Sequence, residues 1–401
     1  MSAATGSGAR ARPPSLVPYC IVSGVMSLGY GSVYTLLADL RDEFGFTGTQ
    51  LGLIVAAGFF AGFGAQLGLA RLADRGHVAL LVRGGAVAAT GAMIGAAIGG
   101  TFWVFLVARV LLGLGSGAAS PAIRRIVILR DPAAVGENLG RLSSFELAGF
   151  VLGPLIAAAA AQALGIHAPF AVLAVLFAGV FVLTLRLDLS GGRSERHHHV
   201  LRDLLARRTI VSTLVICVGF YVTIGMFEAV WALLLRDRGA ETWLIGLTLS
   251  LFTVPMIFLA PIGGRTAQRR GPLRVVTVSL AVAAVCTFSY GVLPSLWMLL
   301  AVSVVHTCAD SFTMPGNQVA VAMSSPPEHL SSAQGLLGAT GLATAGITGL
   351  LAGAAYESSG RFLVCTTTAV VMVCSIVAAR TLAGAGTRPE AATLRPAPET
   401  T

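Results

Sequence analysis

An all-α membrane protein with twelve transmembrane helices in two six-helix bundles is the fold this sequence predicts, and three observations predict it. The 401 residues are 55% hydrophobic and only 11% charged, with a mean hydropathy of +0.81, whereas a soluble domain carries roughly 25% charged residues. Apolar runs of about 20 residues, each long enough to cross a hydrocarbon core as a helix, recur along most of the chain. A stretch early in the first half can also be laid on one in the second half without a gap.

The apolar runs place spans at 16–37, 50–70, 78–99, 102–122, 142–163, 168–187, 210–234, 243–263, 273–293, 296–322, 332–355 and 362–383. Gly113, Pro154 and Pro255 fall inside them, which neighbouring helices tolerate by satisfying the freed backbone groups. Thr47 and Gln50 have capping-box spacing where the second span begins. Residues 1–15 are polar and carry Arg10 and Arg12. The apolar run after them exceeds the roughly 7–15 residues of a signal-peptide core, so it is expected to stay attached as the first span.

All 27 basic residues are Arg. Without Lys the chain cannot build a G-x-x-x-x-G-K-[ST] phosphate loop or a Schiff base. Nucleic acid as a partner is disfavoured because the arginines sit in short links between apolar runs. Arg41, Arg236, Arg238 and Arg361 fall on one side, Arg109 inside a span, and the remaining 22 on the side of the N-terminus. The positive-inside bias then puts both termini in the cytoplasm, in a cell inner membrane. Trp103, Trp231, Trp243 and Trp297 fall near the outer ends of spans, as an aromatic belt would. Cys20, Cys217, Cys286, Cys308, Cys365 and Cys374 form no C-x-x-C pair and read as small buried hydrophobes. The Lys-free, Arg- and Ala-rich composition points to a GC-rich coding genome and a bacterium.

Asp188 to Arg208 is the longest polar stretch between spans. It divides the chain into a cytoplasmic tail 1–15, a bundle 16–188, a cytoplasmic loop 189–209, a bundle 210–383 and a cytoplasmic tail 384–401. The repeat supports this division: 50–75 lies on 244–269, with Gly52 on Gly246, Arg71 on Arg265 and Arg75 on Arg269. Repeats of this kind mark transporters whose site lies between the halves near the membrane midplane.

Three local motifs carry a family resemblance. After the second span, ARLADRGH places Asp74, Arg75 and Gly76 as in a G-x-x-x-D-R-x-G-R-R loop. In the fourth span, RVLLGLGSG places Arg109, Gly113 and Gly117 as in R-x-x-x-G-x-x-x-G. In the fifth, GFVLGPLIAA places Gly149, Gly153 and Pro154 as in g-x-x-x-G-P-x-x-G-G. With the twelve spans and the repeat, the chain resembles the major facilitator superfamily over nearly its whole length, and most resembles the drug/proton antiporter branch. The resemblance implies that Asp74 and Arg75 latch neighbouring helices as the halves swing. Ala70 replaces the first Gly, one residue is missing before Gly76, and His77 and Val78 stand where a basic pair is usual, so a weaker latch is expected. Gln268 replaces the acid in the second copy, and Ala157 and Ala158 replace the last glycines of the third motif.

An ionisable group at the midplane costs at least about 2.5 kcal/mol, so each one is a functional candidate. Arg109 shares a helix face with Gly113, Ser116 and Ser120, and Glu146 with Gly149, Gly153 and Ala157, so both point at protein or a cavity. Arg109 is read either as a functional cation or as a tie to a neighbouring helix. Glu146 is read as a proton acceptor or as an interhelical hydrogen-bond partner. In the tenth span Ser303, His306, Thr307, Asp310, Thr313 and Asn317 fall on one side, with Asp310 near the middle and His306 one turn before it. A carboxylate beside an imidazole suits proton exchange, and the plain alternative is a satisfied polar contact. Glu228, sharing a broad face with Tyr221 and Gly225, is read as a substrate contact or a solvated gate. Asp39, Asp42 and Glu43 are expected in the first outer link.

His197, His198 and His199 are adjacent and cannot share one helix face, so no metal site is assigned to them. Ser116 in GLGSGAAS lacks the glycines of G-x-S-x-G. No enzyme chemistry and no cofactor are expected. The expected partners are a small-molecule substrate, protons and the lipid bilayer, with the chain working as a monomer. The leading reading is proton-coupled export of small amphipathic molecules by alternating access. Uptake of a small nutrient or metabolite by the same fold is the alternative, and the substrate itself is not legible.

Overall fold

The structure is a computed structural model and describes residues 15–192, 200–241, 244, 247–248 and 253–384. The first half comprises α1 (Val17–Phe44), α2 (Gly48–Gly68), the short α3 (Ala70–Asp74), α4 (Val78–Ile98), α5 (Phe102–Arg130), α6 (Val135–Leu164) and α7 (Ala168–Leu185). A short α8 (Val200–Leu205) leads into the second half, α9 (Arg208–Arg236), α10 (Thr253–Arg270), α11 (Pro272–Val292), α12 (Leu296–Ser324) and α13 (Leu330–Ala383). Gly360, at φ 74° and ψ 179°, breaks α13 into two arms that supply the last two spans. Only glycine adopts that backbone without strain. Among the described residues nine helical stretches are long and apolar enough to cross a membrane by themselves. The chain is a helical, multi-pass membrane protein with the twelve-span plan expected.

Several expectations need correction at their edges. Helix α1 continues to Phe44, so Asp39, Asp42 and Glu43 ride on its exposed last turns instead of in a link. Helix α5 continues to Arg130, where Asp131 and Pro132 stop it, and α6 begins at Val135. Hydrophobicity ends where the bilayer ends, but the helical hydrogen-bond ladder does not. The capping box is present: the Gln50 N–H donates to the Thr47 hydroxyl (3.2 Å) and the Thr47 N–H to the Gln50 side chain (2.9 Å). Trp103 and Trp297 are exposed, as a belt requires, but Trp231 is 2% exposed and packs against Phe227 and Tyr290. Trp243 and the His197–His199 run lie outside the described residues.

The halves repeat each other in packing. Helix α1 lies along α6 and α2 along α5; α9 matches this with the first arm of α13, and α10 with α12. Lipid offers helices no hydrophobic drive to associate, so close backbone approach carries the packing. A Cβ on Gly149 would strike the Gly24 carbonyl oxygen, and one on Gly153 that of Leu28. Gly113 and Gly117 press in the same way on the carbonyls of Gly58 and Gly62, and Gly225 and Gly263 on those of Ala345 and Ser311. The glycines of two sequence motifs are therefore contact points of α6 with α1 and of α5 with α2. Polarity runs inward: Phe60, Ile98 and Leu350 are exposed, whereas Arg109, Glu146 and Asp310 are buried.

The two halves meet at the arginine-rich end. Gly136 and Gly140 of α6 press on Gly264 and Ala260 of α10, and Gly335 of α13 presses on Gln66 of α2. Asp74, 4% exposed, accepts hydrogen bonds from the N–H groups of Ser331 (2.9 Å) and Ser332 (2.8 Å), the Ser332 hydroxyl (2.6 Å) and Arg125 (2.9 Å). Those N–H groups belong to the first turn of α13, where orphan donors and the helix dipole favour a carboxylate. Arg125 also donates to the carbonyls of Gly191 (2.8 Å) and Pro327 (2.5 Å). The expected weakening of the latch is thus not seen in the contacts of Asp74. The acid's cationic partner is Arg125, and Arg75 makes no ion pair among the described residues. Gly76 turns the chain into α4 at φ 91°. In the repeat, the Gln268 side chain accepts from the Gly136 N–H (2.6 Å) and donates to the Ala133 carbonyl (3.1 Å), and Arg265 pairs with Glu137. At the same end Arg130 pairs with Asp188 (2.6 Å), whose carboxyl is held below the usual carboxylate range by the Ser190 hydroxyl and N–H.

Candidate functional site

A cavity of about 460 Å³ lies between the two halves. Its first-half wall comes from α1, α2, α5 and α6, and its second-half wall from α9 to α13. The size falls in the range of about 300–1,000 Å³ common for pockets that bury a small ligand. Much of the lining is aromatic: Tyr30, Phe59, Phe150, Phe220, Tyr221 and Phe227.

On the first-half wall Glu146 accepts the Ser23 hydroxyl (2.7 Å) and pairs with Arg124 (3.2 Å). Arg124 is placed by the polar extension of α5, in the i, i+4 series Ser116, Ser120, Arg124 that faces the cavity. Arg109 is one layer behind. At 2% exposure it stands over the Tyr30 ring, 4.9 Å from its centroid, in a niche that exists because residue 58 is glycine. Tyr30, not Arg109, meets the cavity.

On the second-half wall Ser303, His306, Thr307 and Asp310 line the cavity together, as the one-sided polarity of the tenth span predicts. The Tyr290 hydroxyl of α11 lies 3.1 Å from His306 Nδ1, and His306 Nε2 lies 3.6 Å from Asp310 Oδ2. With Tyr290 as donor to Nδ1, a neutral imidazole carries its proton on Nε2, which has no hydrogen-bond partner among the described residues. Asp310 Oδ1 has no hydrogen-bond partner among the described residues. Glu228 also opens into the cavity from α9.

Two members of the polar stripe go elsewhere. Thr313 bonds Ser279 of α11 (2.7 Å) and serves helix packing, as does Gly225 on α9. Asn317 lies deeper, in a second cavity of about 90 Å³ that shares Gln66 and Arg124 with the first. Arg124, Arg125, Tyr30 and Tyr290 were missed from sequence. The first could have been found from its i, i+4 series. Tyr290 carries no such signal, since only the fold brings it beside His306.

Two pseudo-symmetric six-helix bundles around a central cavity, clasped to each other at one end, define a secondary transporter for small molecules embedded in the membrane. The chain belongs to the Major Facilitator Superfamily, whose model matches residues 19–235 and 209–401. It is 24% identical to the Multidrug resistance protein MdtG of Salmonella typhimurium strain LT2 over 370 residues, 88% of this chain and 91% of that protein. The match to MdtG of Enterobacter lignolyticus strain SCF1, also 24% identical, spans 257 residues, 62% of either chain. Among solved structures it is similar to the human organic anion transporter MFSD10 (TETRAN), with a TM-score of 0.76 and 16% identity over 92% of this chain and 100% of that one. It is likewise similar to the transporter FucP in the outward conformation, with a TM-score of 0.74 and 16% identity over 92% and 98%. At such identity these two likenesses show the fold alone.

Proposed function

We propose that this transporter is of the drug-efflux type and exports small amphipathic molecules from a bacterial cytoplasm in exchange for protons, as a monomer with both termini in the cytoplasm. The observation that carries the reading is Asp310, a buried carboxylate on the cavity wall with an imidazole beside it and one oxygen that has no hydrogen-bond partner among the described residues. Such a group is costly in a membrane unless function keeps it there. The relatives named as multidrug resistance proteins and the Gly149, Gly153, Pro154 packing of α6 support the direction.

With the arginine-rich end in the cytoplasm, the clasp of Asp74 and Gln268 closes the cavity from inside. Substrate then leaves outward while protons enter, and Asp310 with His306 takes up the proton. Protonation removes the carboxylate's charge, which lowers the cost of closing the outer end around it. Release of the clasp opens the cytoplasmic end, and substrate entry displaces the proton inward. Glu146 with Arg124 forms the opposite polar wall, Glu228 stands toward the outer mouth, and Asn317 lies on the inner path. Arg109 fixes the ring of Tyr30.

The test is cellular accumulation of fluorescent amphipathic dyes. Expression is expected to lower accumulation, and a protonophore to restore it. Accumulation that rises on expression would establish uptake instead.

A further inference from the structure

The small inner cavity is walled by both halves, with Gln66 of α2 and Arg124 of α5 from the first and Cys217 of α9, Asn317 of α12 and Leu337 of α13 from the second. Four buried polar atoms on these residues have no hydrogen-bond partner among the described residues: Gln66 Oε1, Arg124 Nε, and Asn317 Oδ1 and Nδ2. Asn317 is only 3% exposed. Such orphans are rare, because each costs the desolvation of its group. Direct bonding at this level, Ser143 of α6 to Gln318 of α12 at 3.3 Å, leaves the four atoms unserved.

Each half contributes one acceptor and one donor, and this mixture selects the ligand. A cation would find two amide oxygens but also a guanidinium. An anion would find two N–H groups but also the two oxygens. Water donates and accepts at once, and the volume of about 90 Å³ has room for several molecules, since one needs only about 10–15 Å³. We infer that this cavity binds a cluster of water that bridges the two halves, hydrogen-bonding Gln66 and Arg124 on one side and Asn317 on the other. The cluster makes this level of the closed end a wet contact behind the glycine crossings and the Asp74 clasp. Bulk water serves the same atoms once the halves part, so the end releases without stranding buried amides. The inference depends on neither the direction of transport nor proton coupling.

Cys217 reads the site. It is fully buried and lines the small cavity but not the main one, whereas Cys365, equally buried, lines neither. The full-length protein in lipid nanodiscs is given a brief X-ray pulse, which makes hydroxyl radicals from bound water in place, and oxidation of each cysteine is read by mass spectrometry. In parallel, a membrane-impermeant maleimide too bulky to enter the closed cavity labels Cys217 when the halves part. Cys217 should be oxidised well above Cys365 while its maleimide labelling stays slow. Asn317→Leu fills the cavity with an apolar side chain and removes the bridge. Its Cys217 oxidation should fall to the Cys365 level, and its maleimide labelling should rise at least about fivefold, the least expected of a stranded buried polar group. Asn317→Ser keeps a donor and an acceptor and should keep most of the oxidation, and thermal unfolding checks that each variant is folded. Opposite movement of the two readouts on one sulfur separates loss of water from loosened packing, which would raise both. The inference is overturned if Cys217 in the parent is as unreactive as Cys365, or if maleimide labelling there keeps pace with oxidation. It is equally overturned if Asn317→Leu leaves either readout unchanged.

Discussion

Replacing Asp74 by Asn should release the arginine-rich end. The carboxylate accepts four hydrogen bonds, three from the first turn of α13 and one from Arg125. Asn keeps one accepting oxygen, but its amide then points N–H at N–H toward Ser332. Arg125 is left buried with carbonyl partners only. Removing one member of a buried pair costs about 3–5 kcal/mol. Both groups reach water when the halves part, so the loss falls mainly on the closed state. About 3 kcal/mol corresponds to roughly a 150-fold shift toward the open end. The mirror contact, Gln268 to the Gly136 N–H, is uncharged, so Gln268→Ala should cost about 1 kcal/mol and shift the balance far less.

The assay introduces Leu337→Cys into a cysteine-free chain, since Leu337 is buried in the small inner cavity behind the clasp. An impermeant maleimide is added to inside-out vesicles. Labelling should be slow in the parent, much faster with Asp74→Asn and only modestly faster with Gln268→Ala. A folded Asp74→Asn variant that labels at the parent rate would refute the reasoning.

Asp310→Asn keeps size and hydrogen bonding but removes the titrating charge. Uphill transport should fail and lose its pH dependence while substrate exchange survives; uphill transport with the original pH profile would move coupling to Glu146 or Glu228. Gly149→Val drives a side chain into the Gly24 carbonyl and should destabilise by about 1–3 kcal/mol, read as a lower melting temperature in detergent; an unchanged melting point would mean that α1 and α6 part easily. Arg109→Ala should abolish transport while the protein remains in the membrane, because Tyr30 loses the cation that holds its ring; normal flux would leave Arg109 a packing role alone. A cysteine in place of Arg202 should be labelled from the cytoplasmic side only, and labelling from outside would invert the orientation.

The spans were legible because a bilayer demands apolar runs of fixed length, and the two halves because the repeat keeps its register. The glycines of α5 and α6 were legible as motifs, although their partners Gly58, Gly62 and Gly24 appear only in the fold. On the second-half wall the stripe on α12 includes His306 and Asp310, which line the cavity, but also Thr313, which bonds Ser279 of α11. A face 100° wide is shared between the cavity and α11, and sequence periodicity cannot say where one gives way to the other. Arg124 and Arg125 were hidden for another reason. The polar end of α5 looks like a link until Glu146, Asp74 and the first turn of α13 are seen around it, and those partners are distant in sequence. Trp231 failed as a belt residue because its position near a helix end says nothing about its facing, which Phe227 and Tyr290 determine.

The most direct test of proton-coupled export is flux in proteoliposomes with a pH gradient of either sign. The protein is reconstituted with known orientation, and a labelled amphipathic compound is placed on both sides at equal concentration. Coupled exchange predicts that the compound accumulates on the acidic side, reverses when the gradient is reversed, and fails to accumulate with Asp310→Asn. Accumulation on the alkaline side, or equilibration indifferent to the gradient in the unsubstituted protein, would contradict it.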